Sequence, residues 1–140
     1  MKTHENDQQG PRATILIVED HKSVRNALRD WLSISFPDCR VLDVESGEEA
    51  VALVRVHPPD IVLMDIGLPQ MNGIQATRNI KAITPLVHVV MLTIQESFAY
   101  EAEAVEAGAH AYILKRKMGT DLIPAVAALL RLSSDTGGVM

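Results

Sequence analysis

The chain has 140 residues, 47% of them hydrophobic and 22% charged, with a formal net charge of −5. That size and balance fit one soluble globular domain built on a single core. The acidic charge offers no footprint for nucleic acid or an anionic membrane surface, and the lone Cys39 excludes a disulfide framework. No apolar stretch approaches the roughly 20 residues of a membrane span. The polar start Met1-Lys-Thr-His-Glu-Asn-Asp also lacks the apolar run of a signal peptide. A reducing cytoplasm is the expected setting.

Residues 1–12 are polar, contain Gly10-Pro11, and read as a flexible N-terminal arm. The first strand is predicted over about 14–19, where Ile15-Leu16-Ile17-Val18 runs into Glu19 and Asp20. A helix follows with Val24, Leu28, Trp31 and Leu32 at helical spacing, and Phe36-Pro37-Asp38 ends it. The second strand, Val41 to Glu45, alternates apolar and acidic residues as an edge strand exposed on one face does. Ser46 is the predicted N-cap of the second helix, with Glu49 three residues on as in a capping box and Val51 and Val54 as apolar positions. His57-Pro58-Pro59-Asp60 stops that helix. The third strand, Ile61 to Met64, runs into Asp65, and the turn-rich Ile66-Gly67-Leu68-Pro69-Gln70-Met71-Asn72-Gly73 follows.

The third helix is predicted over about 73–82, and Thr84-Pro85 leads into the fourth strand, Val87 to Leu92, which ends at Thr93. Phe98, Ala102 and Val105 mark the expected buried face of the fourth helix, with Gly108 as its C-terminal cap. The fifth strand, Ala111 to Leu114, ends at Lys115. Leu122, Val126, Leu129 and Leu130 line the last helix, and Ser133-Ser134-Asp135-Thr136-Gly137-Gly138 makes residues 132–140 read as a linker-like tail.

Five strands alternating with five helices give an α/β, doubly wound (βα)5 chain, and right-handed crossovers favour a parallel sheet of order 2-1-3-4-5. Ligands bind such sheets outside the carboxyl ends of the strands. There, Glu19, Asp20, Asp65, Thr93 and Lys115 converge. Each has a bland reading alone: a solvated loop for the acidic pair, a helix cap for Asp65, a strand-end hydroxyl for Thr93, a surface charge for Lys115. Four strand ends must be bland at once for that to hold. Together they suit a Mg2+-dependent phosphoryl-acceptor site. Asp65 is the expected nucleophile. Its attack on an anionic phosphoryl group requires cations between the two. Asp20 and Asp65 are expected as direct Mg2+ ligands, with Glu19 acting directly or through water. Lys115 is the second cation and Thr93 a hydroxyl donor. His4, His21, His57, His88 and His110 show no metal-ligand spacing and read as surface or core residues.

Over residues 13–131 the chain resembles the receiver domain of bacterial two-component response regulators. The carrying residues are Glu19-Asp20, Asp65 through Gly73 (the signature D-x-x-L/M-P-x-L/M-x-G), Thr93, Tyr112 and Lys115. The resemblance implies a flavodoxin-like three-layer sandwich with Asp65 as phosphoacceptor. It adds the Gly67 backbone carbonyl to the Mg2+ ligands and makes Thr93 and Tyr112 a conformational switch. It implies a sensor histidine kinase as partner, a homodimer on phosphorylation, DNA reached only through an output domain outside these residues, and no membrane. Asp-Ile-Gly-Leu-Pro and the lack of proline after Lys115 resemble the branch with LuxR-type helix-turn-helix outputs. Two other classes stand beside this one. A Mg2+-dependent aspartyl phosphatase wants an acid at position 67, where Gly67 stands. A degenerate interaction module suits a site with a missing acceptor residue, and none is missing; a stand-alone receiver acting through protein contacts is the alternative to the receiver half of a longer regulator, which the linker-like tail favours. Ile94 occupies a position where the family usually has a small residue, and is expected to crowd the entrance to Asp65.

Overall fold

The computed structural model describes residues 13–139, with side chains placed through Ser133. The arm expected over 1–12 lies outside the described residues. In chain order come β1 (Thr14–Val18), α1 (Lys22–Ser35), β2 (Arg40–Val44), α2 (Gly47–Val56), β3 (Ile61–Asp65), α3 (Gly73–Ile83), β4 (His88–Thr93), α4 (Phe98–Ala107) and β5 (Ala111–Leu114). A short 3-10 turn (Lys115–Lys117) then leads into α5 (Met118–Val139).

The strands form one parallel sheet in the order β2-β1-β3-β4-β5, as expected. Helices cover both faces, so the central strands are near-continuous apolar runs, and β3 is buried along its whole length. Alternate side chains feed two cores. Ile15, Ile17, Leu63 and Leu92 pack with Leu28 and Leu32 of α1 and Leu122 and Val126 of α5. Leu16, Val18, Met64 and Met91 pack with Val54 of α2, Ile80 of α3 and Ala104 of α4. The register pairs Val18 with Met64, Asp65 with Leu92, and Thr93 with Leu114. The strands therefore stop along one edge, and the residue that ends each apolar run is delivered there.

Local signals behave largely as read. Ser46 Oγ accepts the Glu49 N–H at 3.0 Å, although the Glu49 carboxylate reaches back to the Glu45 N–H at 2.9 Å and not to Ser46. The reciprocal capping box is at α3: Asn72 Oδ1 accepts the Ile74 and Gln75 N–H groups, and the Gln75 side chain accepts the Asn72 N–H. Gly108 caps α4 in the left-handed region at φ 109.

Two elements differ from expectation. The face of α4 that packs inward carries Ala104 and Ala107, whereas Phe98 is 93% exposed and Val105 62%; Ala102 is exposed as well. Alanine lets the helix approach closely, and periodicity cannot rank an alanine stripe against a bulkier apolar stripe on the same helix. The second difference is α5, which continues to Val139 through the segment read as a linker. Extending a helix needs no new nucleus, so a polar stretch without proline can be carried along.

Candidate functional site

Glu19 follows β1 and is 1% exposed. Its Oε1 accepts Lys115 Nζ at 2.8 Å, and its Oε2 accepts the His21 N–H at 3.0 Å and lies 3.0 Å from His21 Nδ1. Burial pushes its pKa up, but the hydrogen bonds from Lys115 and His21 outweigh that and hold it below the usual carboxylate range. Asp65 closes β3 at 5% exposure. Its Oδ1 accepts the Gly67 N–H at 3.1 Å and stands 3.5 Å from Lys115 Nζ. Burial, then repulsion from Glu19, raise the Asp65 pKa against the attraction of Lys115. For Lys115 desolvation is overcome by Glu19 and Asp65, and its pKa is raised.

Asp20 differs from its neighbours. Its Oδ1 is buried with no hydrogen-bond partner, 3.4 Å from His21 Nδ1, which attracts it only when that ring is charged. Glu19, Asp20, His21 and Asp65 each bring a ligand atom within 4.8 Å of the others. An oxygen-rich cluster with one orphaned carboxylate oxygen fits a hard divalent cation such as Mg2+.

Thr93, 4% exposed at the end of β4, accepts the Gln95 N–H on its hydroxyl at 3.1 Å. The Tyr112 hydroxyl donates to the Gln95 carbonyl at 3.2 Å. Thr93 and Tyr112 thus hold the same loop residue from two sides. Burial raises the Tyr112 pKa. Gly73 explains the glycine that closes the Asp65–Gly73 signature: a Cβ there would overlap the Asp65 carbonyl oxygen and come within 2.8 Å of Ile66 Cα. Only glycine lets α3 begin against the exit of β3.

A cavity of about 440 Å3 opens over the site, lined by Asp65, Gly67, Thr93, Gln95 and Lys115 among others. Ile94 borders it with 77% of its surface exposed, so it stands at the rim and leaves the mouth open.

The model of the response regulator receiver domain matches residues 15–127. This chain belongs to that family. Among curated relatives, the transcriptional regulatory protein DegU of Brevibacillus brevis is 38% identical over 113 residues, 80% of this chain and 48% of DegU. The response regulator protein VraR of Staphylococcus aureus is 37% identical over 114 residues, 80% of this chain and 54% of VraR. The chain spans about half the length of these relatives. A LuxR-family two-component response regulator from Aurantimonas sp. SI85-9A1 superposes with a TM-score of 0.79 at 34% identity, covering 85% of each chain. The CheY-like receiver domain protein from Methanospirillum hungatei JF-1 reaches 0.82 at 25% identity, over 89% of this chain and 98% of that one. The receiver fold, its two-component context and the LuxR-type kinship of its relatives are as expected from the sequence. Among the described residues, no helix is long and apolar enough to cross a membrane.

The structure brings Glu19, Asp20, Asp65 and Lys115 into one cluster, with Thr93 on the same cavity and Tyr112 one loop residue away. Sequence reasoning missed two neighbours. His21 bonds Glu19 twice, and its only signal is that it directly follows the acidic pair. Arg25, four residues further on, donates to the Glu19 carbonyl at 2.9 Å.

Proposed function

We propose that this receiver domain takes a phosphoryl group onto Asp65 from the phosphohistidine of a sensor histidine kinase. A carboxylate oxygen of Asp65 attacks phosphorus, the P–N bond breaks, and the released histidine nitrogen takes up a proton. The observation that carries this reading is the Asp65 carboxylate in the floor of an open cavity, with Lys115 Nζ 3.5 Å from Oδ1.

Asp20, Asp65 and the Gly67 carbonyl are the proposed direct ligands of Mg2+. Glu19 acts through water, because Lys115 and His21 already occupy both of its oxygens. Bound there, the ion would neutralise charge between carboxylate and phosphoryl oxygens. Lys115 places a point charge beside the nucleophile and is released from Asp65 toward the phosphoryl oxygens as they arrive. The Thr93 hydroxyl accepts the Gln95 N–H and keeps its own proton for a phosphoryl oxygen. Drawing Thr93 inward disturbs Gln95, and through it the Tyr112 hydroxyl, so the chemistry shifts the population of surfaces around α4 and β5. The name of the transcriptional regulatory protein DegU supports a transcriptional output delivered by a further domain; a homodimer favoured by phosphorylation and a cytoplasmic setting complete the proposal.

Acetyl phosphate with Mg2+ tests the acceptor. Intact mass should rise by one phosphoryl group, labile to hydroxylamine, and Asp65→Asn should abolish the gain. Equal modification of the Asn variant would show that Asp65 is not the acceptor. Light scattering with and without beryllofluoride tests the dimer.

A further inference from the structure

Arg25 lies in the first turn of α1 with 13% of its side chain exposed. Its Nη1 donates to the Glu19 carbonyl at 2.9 Å, its Nε stands 4.0 Å from Asp43 Oδ2, and its Nη2 stands 3.9 Å from Glu45 Oε2. One guanidinium therefore ties the exit of β1 to the exit of β2. The Glu19 carbonyl belongs to the peptide that leads into Asp20, the residue whose Oδ1 is buried without a hydrogen bond. On its other side Glu19 is fixed by its own N–H, which donates to the Val44 carbonyl at 3.1 Å.

We propose that Arg25 is a positioning residue for the cation site: it fixes the Glu19–Asp20 peptide so that the Asp20 carboxylate stays in the ligand cluster with Asp65. The proposal rests on the Mg2+ reading above. Two effects of Arg25 oppose each other. As a permanent cation behind the acidic cluster it weakens the pull on Mg2+; as a clamp on the peptide that carries a ligand it strengthens binding. The guanidinium makes its one short contact with the Glu19 carbonyl, while Asp43, which Arg29 also holds at 3.2 Å, and the exposed Glu45 lie at 3.9–4.0 Å, so the clamp on the peptide dominates. Residues that orient metal ligands from behind are worth on the order of 10–100-fold in metal affinity.

Mg2+ titration of the full chain without phosphodonor, followed by amide chemical shifts, separates the two effects. Arg25→Lys keeps the charge and loses the planar donor geometry; Arg25→Gln loses the charge. Both should raise the Mg2+ dissociation constant about tenfold or more. At saturating Mg2+, both should reach the wild-type rate of acetyl phosphate labelling, because Arg25 touches neither the ion nor the phosphoryl group. A merely structural role would lower the melting temperature and leave the dissociation constant, measured well below melting, unmoved. Wild-type affinity in Arg25→Lys, or tighter binding in Arg25→Gln, would overturn the proposal, as would a rate that stays low at saturating Mg2+. Asp20→Asn is the control. If it loses affinity while the Arg25 variants keep theirs, Arg25 alone is misassigned. If wild type and Asp20→Asn bind alike, the metal reading beneath it fails as well.

Discussion

Glu19 keeps its charge at 1% exposure because two neighbours supply the hydrogen bonds that water would have given. Removing one exposes the cost. Lys115→Ala leaves a buried carboxylate with half of its partners, and should lose about 2–3 kcal/mol of stability without Mg2+. Its place at a strand end suggests a tolerant position, but its 15% side-chain exposure says otherwise. Asp65→Asn should move the other way. Asp65 is charged against burial and against Glu19, so the amide relieves that cost in the metal-free protein and makes it more stable. Gly73→Ala should cost about 1–3 kcal/mol or more through overlap with the Asp65 backbone, and should slow labelling of Asp65 as well. Urea unfolding in EDTA measures all three, and an Asp65→Asn protein less stable than wild type would contradict the electrostatic account.

At the scale of the element, α4 is where the sequence misleads. Phe98 fits a core stripe by spacing, yet it stands 93% exposed. Phe98→Ala should therefore change stability by no more than about 0.5 kcal/mol, against roughly 3–5 kcal/mol for a buried phenylalanine. A loss in the larger range would return Phe98 to the core. The strands were legible because each apolar run stops at a polar residue, and in a parallel sheet those stops fall on one edge. Thus Glu19, Asp65, Thr93 and Lys115 could be placed before any geometry was known. The inward face of α4 could not, since alanine serves a close-packed face and a solvated one equally well. His21 and Arg25 were hidden for a related reason: a polar residue at the N-cap or in the first turn of a helix is ordinary whether or not it backs a site. The extension of α5 to Val139 was hidden because serine and glycine lower helix propensity without forbidding a helix already begun.

Across the whole molecule, ionisable groups gather at both ends of the sheet. At the end opposite Asp65, His88 and His110 meet edge to face with ring centroids 4.6 Å apart. His110 Nδ1 accepts the Val89 N–H at 3.3 Å, and His88 Nδ1 is buried without a partner. Burial lowers both pKa values. The Lys81 charge adds to this for His88 while Asp60 opposes it, and for His110 the charges of His88 and Lys81 add to it. The unfolded chain takes up these protons at about pH 6.5 and the folded chain only below that. This part of the stability is therefore complete above about pH 6.5 and declines as pH falls below it. His110→Asn, whose Oδ1 can still accept the Val89 N–H, should soften that decline. Denaturation near pH 7.5 and near pH 5.5 would show it, and an identical loss in both proteins would refute it.

The inward face of α4 also has a consequence in time. Two alanines anchor this helix, where α1 buries Leu28 and Leu32 and α3 buries Ile74 and Ile80. Its amides should accordingly exchange with deuterium through local opening, at a free energy well short of global unfolding, while those of α1 and α3 wait for deeper events. A segment that costs little to lift is also one that the proposed draw on Thr93 would move at little expense, and the same economy that leaves Phe98 in water would leave α4 free to answer.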